Sequence, residues 1–318
     1  MLRKLLVLPA LCCALHAQAD TYPVRPIRLV APFPAGGTAD AIARIVANEV
    51  AVGLGQSFVI DNRSGANGII GTDIVAKAPP DGYTLLHVTG SFVINPSIYR
   101  KLPYDIFRDF TPVTNVVLGT GYLLLLNPSV PASSVKELIA LAKNQKLTYS
   151  SPGVGNTLHL AAELFNVRAG VKLTHVPYKG VAPAMNAVMS GEVQVTFMPP
   201  TVAVQQVKAG KLKAIAFTGA SRWSVMPELP TMTESGVKNM ELTGSWHGWF
   251  APAGTPRAVV DRLQHEVQRA VHVPKVREFI VEGGYEPDGS RPDDFRKFVR
   301  SEYDRYAEMV HIAGVPQQ

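Results

Sequence analysis

Two segments far apart in the chain repeat one local plan. Phe33-Pro34-Ala35-Gly36-Gly37-Thr38-Ala39-Asp40 and Ser151-Pro152-Gly153-Val154-Gly155-Asn156-Thr157 each read as the end of a strand, a glycine turn and the start of a helix. A helix that begins on such a turn presents N–H groups without carbonyl partners at the positive end of its dipole. A carboxylate can be held there without any arginine or lysine. Two such units point to one small acid gripped from two sides.

The surrounding sequence supplies the strands and helices that the plan needs. Short runs rich in Val, Ile and Leu fall at Ile27 to Phe33, Phe58 to Asp61, Tyr83 to Val88, Leu147 to Ser150, Leu173 to Val176, Val193 to Phe197 and Leu212 to Phe217. Amphipathic helices lie between them. One runs from Thr38 towards Leu54 with Ile42, Ile45, Val46 and Val50 on one face, and another starts at Thr157 with Leu160, Leu164 and Val167. Alternation of this kind means α/β architecture with parallel sheets.

At 318 residues, two α/β domains fit better than one. The extended stretch Phe110 to Asn127 is the candidate crossover, and Met240 to Pro252 the candidate return. The tail reads as two helices, Thr255 to Val273 and Pro292 to Ala313. In the second, Phe295, Phe298, Val299, Tyr303, Tyr306 and Val310 recur at helical spacing as a core face.

Residues 1–19 carry Arg3 and Lys4, an apolar run from Leu5 to Leu15, and Ala17-Gln18-Ala19, the layout of a cleavable secretory signal. The run is too short to span a membrane. Both cysteines, Cys12 and Cys13, lie inside it, so the mature chain is expected to have no disulfide, thiolate metal site or cysteine nucleophile. Losing Arg3 and Lys4 lowers the formal charge from +6 to +4. The remaining cations are scattered without a basic stripe, so no nucleic-acid partner is expected.

Catalytic motifs are weak. Gly153-Val154-Gly155 lacks the third glycine of a dinucleotide fingerprint, because Leu158 stands in its place. Gly219-Ala220-Ser221-Arg222-Trp223 fails as a nucleophile elbow at its last position. The histidines show no metal-ligand spacing, and neither metal nor cofactor is expected. Asp40 suits the start of the first helix as a capping carboxylate, or orders the glycine loop while a ligand takes the remaining donors. Thr38 and Thr157 are N-caps or ligand contacts, and His159 is a packed histidine or a ligand contact.

The whole mature chain resembles the Bug family of substrate-binding proteins that serve tripartite tricarboxylate transporters. The resemblance rests on Tyr22-Pro23-Val24-Arg25-Pro26-Ile27, the first glycine turn, Asn62-Arg63, Pro80-Asp81-Gly82-Tyr83-Thr84-Leu85, Asn95-Pro96 with Leu102-Pro103-Tyr104-Asp105, His175-Val176-Pro177-Tyr178-Lys179-Gly180, and Ala251-Pro252-Ala253-Gly254-Thr255-Pro256. It implies a two-domain periplasmic binding protein of the Venus-flytrap kind, type II, with the ligand cleft between domains. Domain 1 would comprise 20–124 with 242–318, and domain 2 would comprise 125–241. It further implies a periplasmic, monomeric, non-enzymatic receptor that passes a carboxylate to the membrane subunits of its transporter. The ligand-binding residues carried over are Phe33, Ala35, Gly36, Gly37, Thr38, Asp40 and Ser91 on one side, and Ser151, Gly153, Gly155, Asn156, Thr157, His159, Tyr178 and Met198 on the other.

Three departures from the family pattern concern the ligand. Asn156 stands where many members have Thr or Ser, Met198 where many have an acid, and Ser245-Trp246-His247-Gly248-Trp249-Phe250 is unusually rich in aromatics and histidine. Without an acid at Met198, an amino-acid ligand would lack a counter-charge. The expected ligand is therefore a carboxylic acid with an apolar or aromatic body and no amino group. Two other readings stay open: a carboxylate sensor that signals to a membrane kinase, and an enzyme using Asp40, His159 or His247 as acid or base.

Overall fold

Strands made of β-branched residues and leucine, each followed by an amphipathic helix, bury both faces of a sheet and so favour parallel pairing. The computed structural model describes residues 22–317, and the segment read as a secretory signal lies outside them. The first half runs β1 (Ile27–Ala31), α1 (Thr38–Leu54), β2 (Phe58–Asn62), a 3₁₀ turn (Ala66–Gly68), α2 (Ile69–Ala76), β3 (Thr84–Thr89), α3 (Ser91–Ile98) and β4 (Phe110–Gly119). A second set follows: β5 (Leu123–Leu126), α4 (Val135–Asn144), β6 (Thr148–Ser151), α5 (Thr157–Ala169), β7 (Thr174–Pro177), α6 (Val181–Met189), β8 (Val195–Met198), α7 (Pro200–Lys208) and β9 (Lys213–Phe217). The chain then returns through β10 (His247–Pro252), α8 (Arg257–His272), α9 (Pro274–Glu282), β11 (Tyr285–Pro287) and α10 (Pro292–Ile312).

Two sheets result, ordered β11-β4-β10-β3-β1-β2 and β7-β6-β8-β5-β9. They share a plan. In the first, β2, β1 and β3 are parallel and β10 runs antiparallel between β3 and β4. In the second, β7, β6 and β8 are parallel and β5 runs antiparallel between β8 and β9. Each antiparallel strand arrives by crossing from the other lobe. This exchange gives the two-domain type II architecture, with α1 and α5 at equivalent places in their sheets.

The extended segment from Phe110 is not one strand. It breaks at Thr120-Gly121-Tyr122, where the chain leaves the first sheet for the second. Close approach explains the glycines there: a Cβ on Gly119 would lie 2.5 Å from the Ser245 carbonyl oxygen, and one on Gly121 would collide with the Phe217 ring. β5 itself, four leucines, is buried along its whole length.

Helix α1 buries Ile42, Ala43, Val46, Ala47, Val50 and Leu54 and ends on Gly55 in the left-handed region at φ 66°. Leu263, Val267 and Val271 of α8 complete that core, with Trp249 of β10 fully buried in it. Helix α5 is buried over most of its length, so it shows almost no polar face. The tail holds three helices, because Pro274 closes α8 and starts α9 as its first residue. Among the described residues no helix is long and apolar enough to cross a membrane.

Candidate functional site

The two glycine turns face one cavity of about 630 Å³ between the lobes. Gly37 is the N-cap of α1 and offers no side chain, so the N–H groups of the first turn remain for an outside acceptor. Thr38 is therefore not the cap. Its Oγ1 is buried without a hydrogen-bond partner, on a residue that lines the cavity. At α5 the cap is Asn156, whose Oδ1 accepts from Leu158 N–H at 3.0 Å, and Thr157 beside it lines the wall.

Each turn is braced from behind. The Asp40 carboxylate accepts from Gly36 N–H at 2.9 Å, Arg44 Nε at 3.0 Å and Asn62 Nδ2 at 2.9 Å. Burial pushes its pKa up, but the bonds from Arg44, Gly36 and Asn62 outweigh that and hold it below the usual carboxylate value. At the second turn Gly155 N–H donates to His159 Nδ1 at 3.2 Å, which places the remaining imidazole proton on Nε2. Ser151 Oγ accepts from Gly153 N–H at 3.2 Å and lies 2.6 Å from His175 Nε2. The His159 and His175 rings pack with centroids 4.2 Å apart, and burial lowers each to about 4, so both are neutral at pH 7.

Of the residues singled out from sequence, Phe33, Ala35, Gly37, Thr38, Gly153, Asn156, Thr157 and Tyr178 line the cavity. Gly36, Asp40, Ser151, Gly155 and His159 stand behind the wall, because their polar groups are spent on bracing the turns. Two others do not line the cavity. Ser91 is buried near the start of α3, and Met198 is fully buried, paired with Leu123 across β8 and β5. Pro199, the next residue, lines the cavity instead.

Several lining residues were not singled out beforehand. Asn67 sits at φ 51° in Gly65-Ala66-Asn67-Gly68, and its Asn-Gly pair is the turn signal that could have marked it. Tyr122 belongs to the crossing, and its hydroxyl is buried without a partner. Tyr285 lines the same cavity, as do Ser245 and His247 of the aromatic stretch already marked as departing from the family pattern. There Trp249 Nε1 donates to His87 Nδ1 at 3.0 Å, His87 Nε2 lies 3.1 Å from His247 Nδ1, and His247 Nε2 lies 3.4 Å from the Tyr285 hydroxyl.

Among the described residues lining the cavity, Lys179 alone carries a charge, and it is exposed at the edge. Among the described residues no carboxylate lines the cavity. Among the described residues no cluster of three or more His, Cys, Asp or Glu is arranged to hold a metal ion. The geometry suits an anion held by helix N-termini and hydroxyls, with apolar walls around its body.

Comparison with known proteins agrees with this architecture. Residues 42–315 match the family described as the tripartite tricarboxylate transporter family receptor. A UPF0065 protein from the tcbD-tcbE intergenic region of Pseudomonas sp. (strain P51) is 39% identical over 298 residues, covering 92% of this chain and 87% of that one. The structure of R. palustris Rpa4515 with adipate superposes with a TM-score of 0.89 at 37% identity, covering 93% of this chain and all of that one. The periplasmic binding protein BugD gives a TM-score of 0.87 at 36% identity, covering 93% of this chain and all of that one. The two crossed α/β lobes, the paired glycine turns and a match over most of the length lead to one conclusion: this chain belongs to the tripartite tricarboxylate transporter receptor family.

Proposed function

We propose that this protein is a periplasmic receptor that closes around a small carboxylate and delivers it to the membrane subunits of a tripartite transporter. The observation that carries the reading is the convergence of two helix N-termini and the unpartnered Thr38 Oγ1 on one cavity without an inward-facing carboxylate. Each helix terminus contributes about 0.3 to 2 kcal/mol towards a bound anion, and the apolar walls supply the remainder. The adipate in Rpa4515, at 37% identity, supports the same ligand class. In this reading the moving units are residues 20–124 with 242–318, against 125–241. A receptor fits better than an enzyme because the lone pairs of Asp40 and His159 are engaged in bracing the turns.

The test is thermal unfolding of ligand-stripped mature protein with mono-, di- and tricarboxylates, amino acids and aromatic acids. At a hundredfold excess over Kd a ligand adds about 2.7 kcal/mol, which raises Tm by several degrees in a chain of this size. A selective rise with one carboxylate, recovered chemically intact, is the expected result. A flat response to every acid, or a chemically altered ligand, overturns the proposal.

A further inference from the structure

One wall of the cavity is backed by a chain of hydrogen bonds whose direction is fixed at one end. Trp249 Nε1 can only donate, and it donates to His87 Nδ1 at 3.0 Å. In neutral His87 the proton must then sit on Nε2, which faces His247 Nδ1 at 3.1 Å. His247 accepts there, so its own proton sits on Nε2 and faces the Tyr285 hydroxyl at 3.4 Å. Both rings are buried, at 0% and 1% exposure. Burial lowers His87 to about 3 and His247 well below its ordinary value, so neither is charged at neutral pH.

The polarity of that chain ends at the cavity. At 3.4 Å the bond to Tyr285 is at the outer limit of hydrogen-bonding distance, so the Nε2 proton of His247 is weakly engaged. On the same wall the Tyr122 hydroxyl is 2% exposed as part of its residue and has no partner, although Thr157 and Ser245 face it. A buried hydroxyl left unpaired costs free energy that an acceptor from a ligand would recover. We propose that His247 and Tyr285, with Tyr122 where they meet the α5 turn, form a second, uncharged donor subsite that holds an oxygen acceptor of the ligand other than the carboxylate gripped by the turns. His87 and Trp249 are positioning residues that keep the His247 proton aimed inward. The subsite disfavours an ammonium, because the His247 lone pair on Nδ1 is already occupied and among the described residues no carboxylate lines the cavity to supply a counter-charge.

The inference rests on the carboxylate reading above, and calorimetry on the mature protein separates the two with four six-carbon acids that differ away from the carboxylate: hexanoate, 5-oxohexanoate, adipate and 6-aminohexanoate. Adipate or 5-oxohexanoate should bind at least about 10-fold more tightly than 6-aminohexanoate, with hexanoate between. Tyr122→Phe and Trp249→Phe should each narrow the ratio of acceptor-bearing acid to hexanoate by about 3- to 10-fold. Trp249→Phe should also shift the imidazole ¹⁵N signals of His247 away from the Nε2–H tautomer, which a packing defect alone would not do. Equal binding of adipate, 5-oxohexanoate and 6-aminohexanoate, or a ratio unmoved in Tyr122→Phe, overturns the subsite while leaving the receptor reading intact. Binding of none of the four overturns both.

Discussion

Asn67 Nδ2 donates to the Gly155 carbonyl at 3.1 Å, joining a loop of the first lobe to the glycine turn of the second. The side chain is held in place by Asn95, whose Oδ1 accepts from the same Nδ2 at 2.8 Å and whose Nδ2 donates back to the Asn67 carbonyl at 3.1 Å. This bond favours the closed arrangement. Replacing Asn67→Gly removes it and keeps the φ of 51°, which glycine adopts freely. Ligand release measured by stopped-flow fluorescence should accelerate by about 3- to 10-fold, the worth of one neutral hydrogen bond. An unchanged release rate would show that the bond does not contribute to closure.

Gly155 constrains the same contact from the other side. It sits at φ 75°, and a Cβ there would lie 2.6 Å from Ile98 Cδ1 and 3.3 Å from Asn67 Nδ2. A non-glycine residue in the left-handed region costs about 1 to 2 kcal/mol before any clash is counted. Gly155→Ala should therefore weaken ligand binding by at least about 10-fold in calorimetry, since the clash is with the opposing lobe. A loss of global stability large enough to explain the affinity change would instead place the strain within the second lobe.

Asp40 organises the first turn without facing the cavity, through bonds to Gly36, Arg44 and Asn62. In Asp40→Asn the amide retains one acceptor oxygen and puts N–H groups where a donor already stands. Loss of a charge-assisted bond is worth about 1.5 to 3 kcal/mol, so Kd for the carboxylate should rise by about 10- to 100-fold. Asp40→Glu tests geometry against charge, because its longer arm keeps the charge but not the fit. Full affinity in Asp40→Asn would sink the idea that the turn is braced from this carboxylate.

The strand-turn-helix units were legible because their cause is local. Glycine, the following helix start and the apolar strand before it lie within about ten residues of each other, and β1, α1, β6 and α5 appear where the pattern places them. What lay hidden depends on partners distant in sequence. The division of the Phe110 segment into β4 and β5 follows from Phe217 and Ser245 crowding Gly121 and Gly119. Residues at the turns divided into lining and bracing groups for a similar reason: the orientation of Asp40 depends on Asn62, and that of Gly155 on Asn67. Met198 is buried beside the cleft while Pro199 lines it, because a strand end puts adjacent residues on opposite sides, and which side faces in depends on the distant β5 partner.

The buried histidines predict how the fold responds to acid. An unfolded histidine takes a proton near pH 6.5, whereas burial keeps folded His87 neutral down to about 3 and folded His247 neutral to well below its ordinary value. Trp249, the Tyr285 hydroxyl and each other are their partners, and Asp40, the one charged group acting on His87 among the described residues, raises its pKa less than burial lowers it. Below pH 6.5 the unfolded chain therefore binds more protons than the folded one, and stability falls as pH falls. Each histidine contributes a slope that rises towards about 1.4 kcal/mol per pH unit as its unfolded form protonates, so His87 alone costs about 1.5 kcal/mol between about pH 6.5 and 5, and His247 acts in the same direction. His159 and His175, lowered to about 4 by burial, act in the same direction. Urea midpoints should be flat from about pH 8 to 7 and then drop through this window, before most carboxylates begin to titrate. A midpoint that stays level to about pH 5 would mean that His87 and His247 accept protons inside the folded protein, and the directed chain from Trp249 to Tyr285 would then lose its polarity.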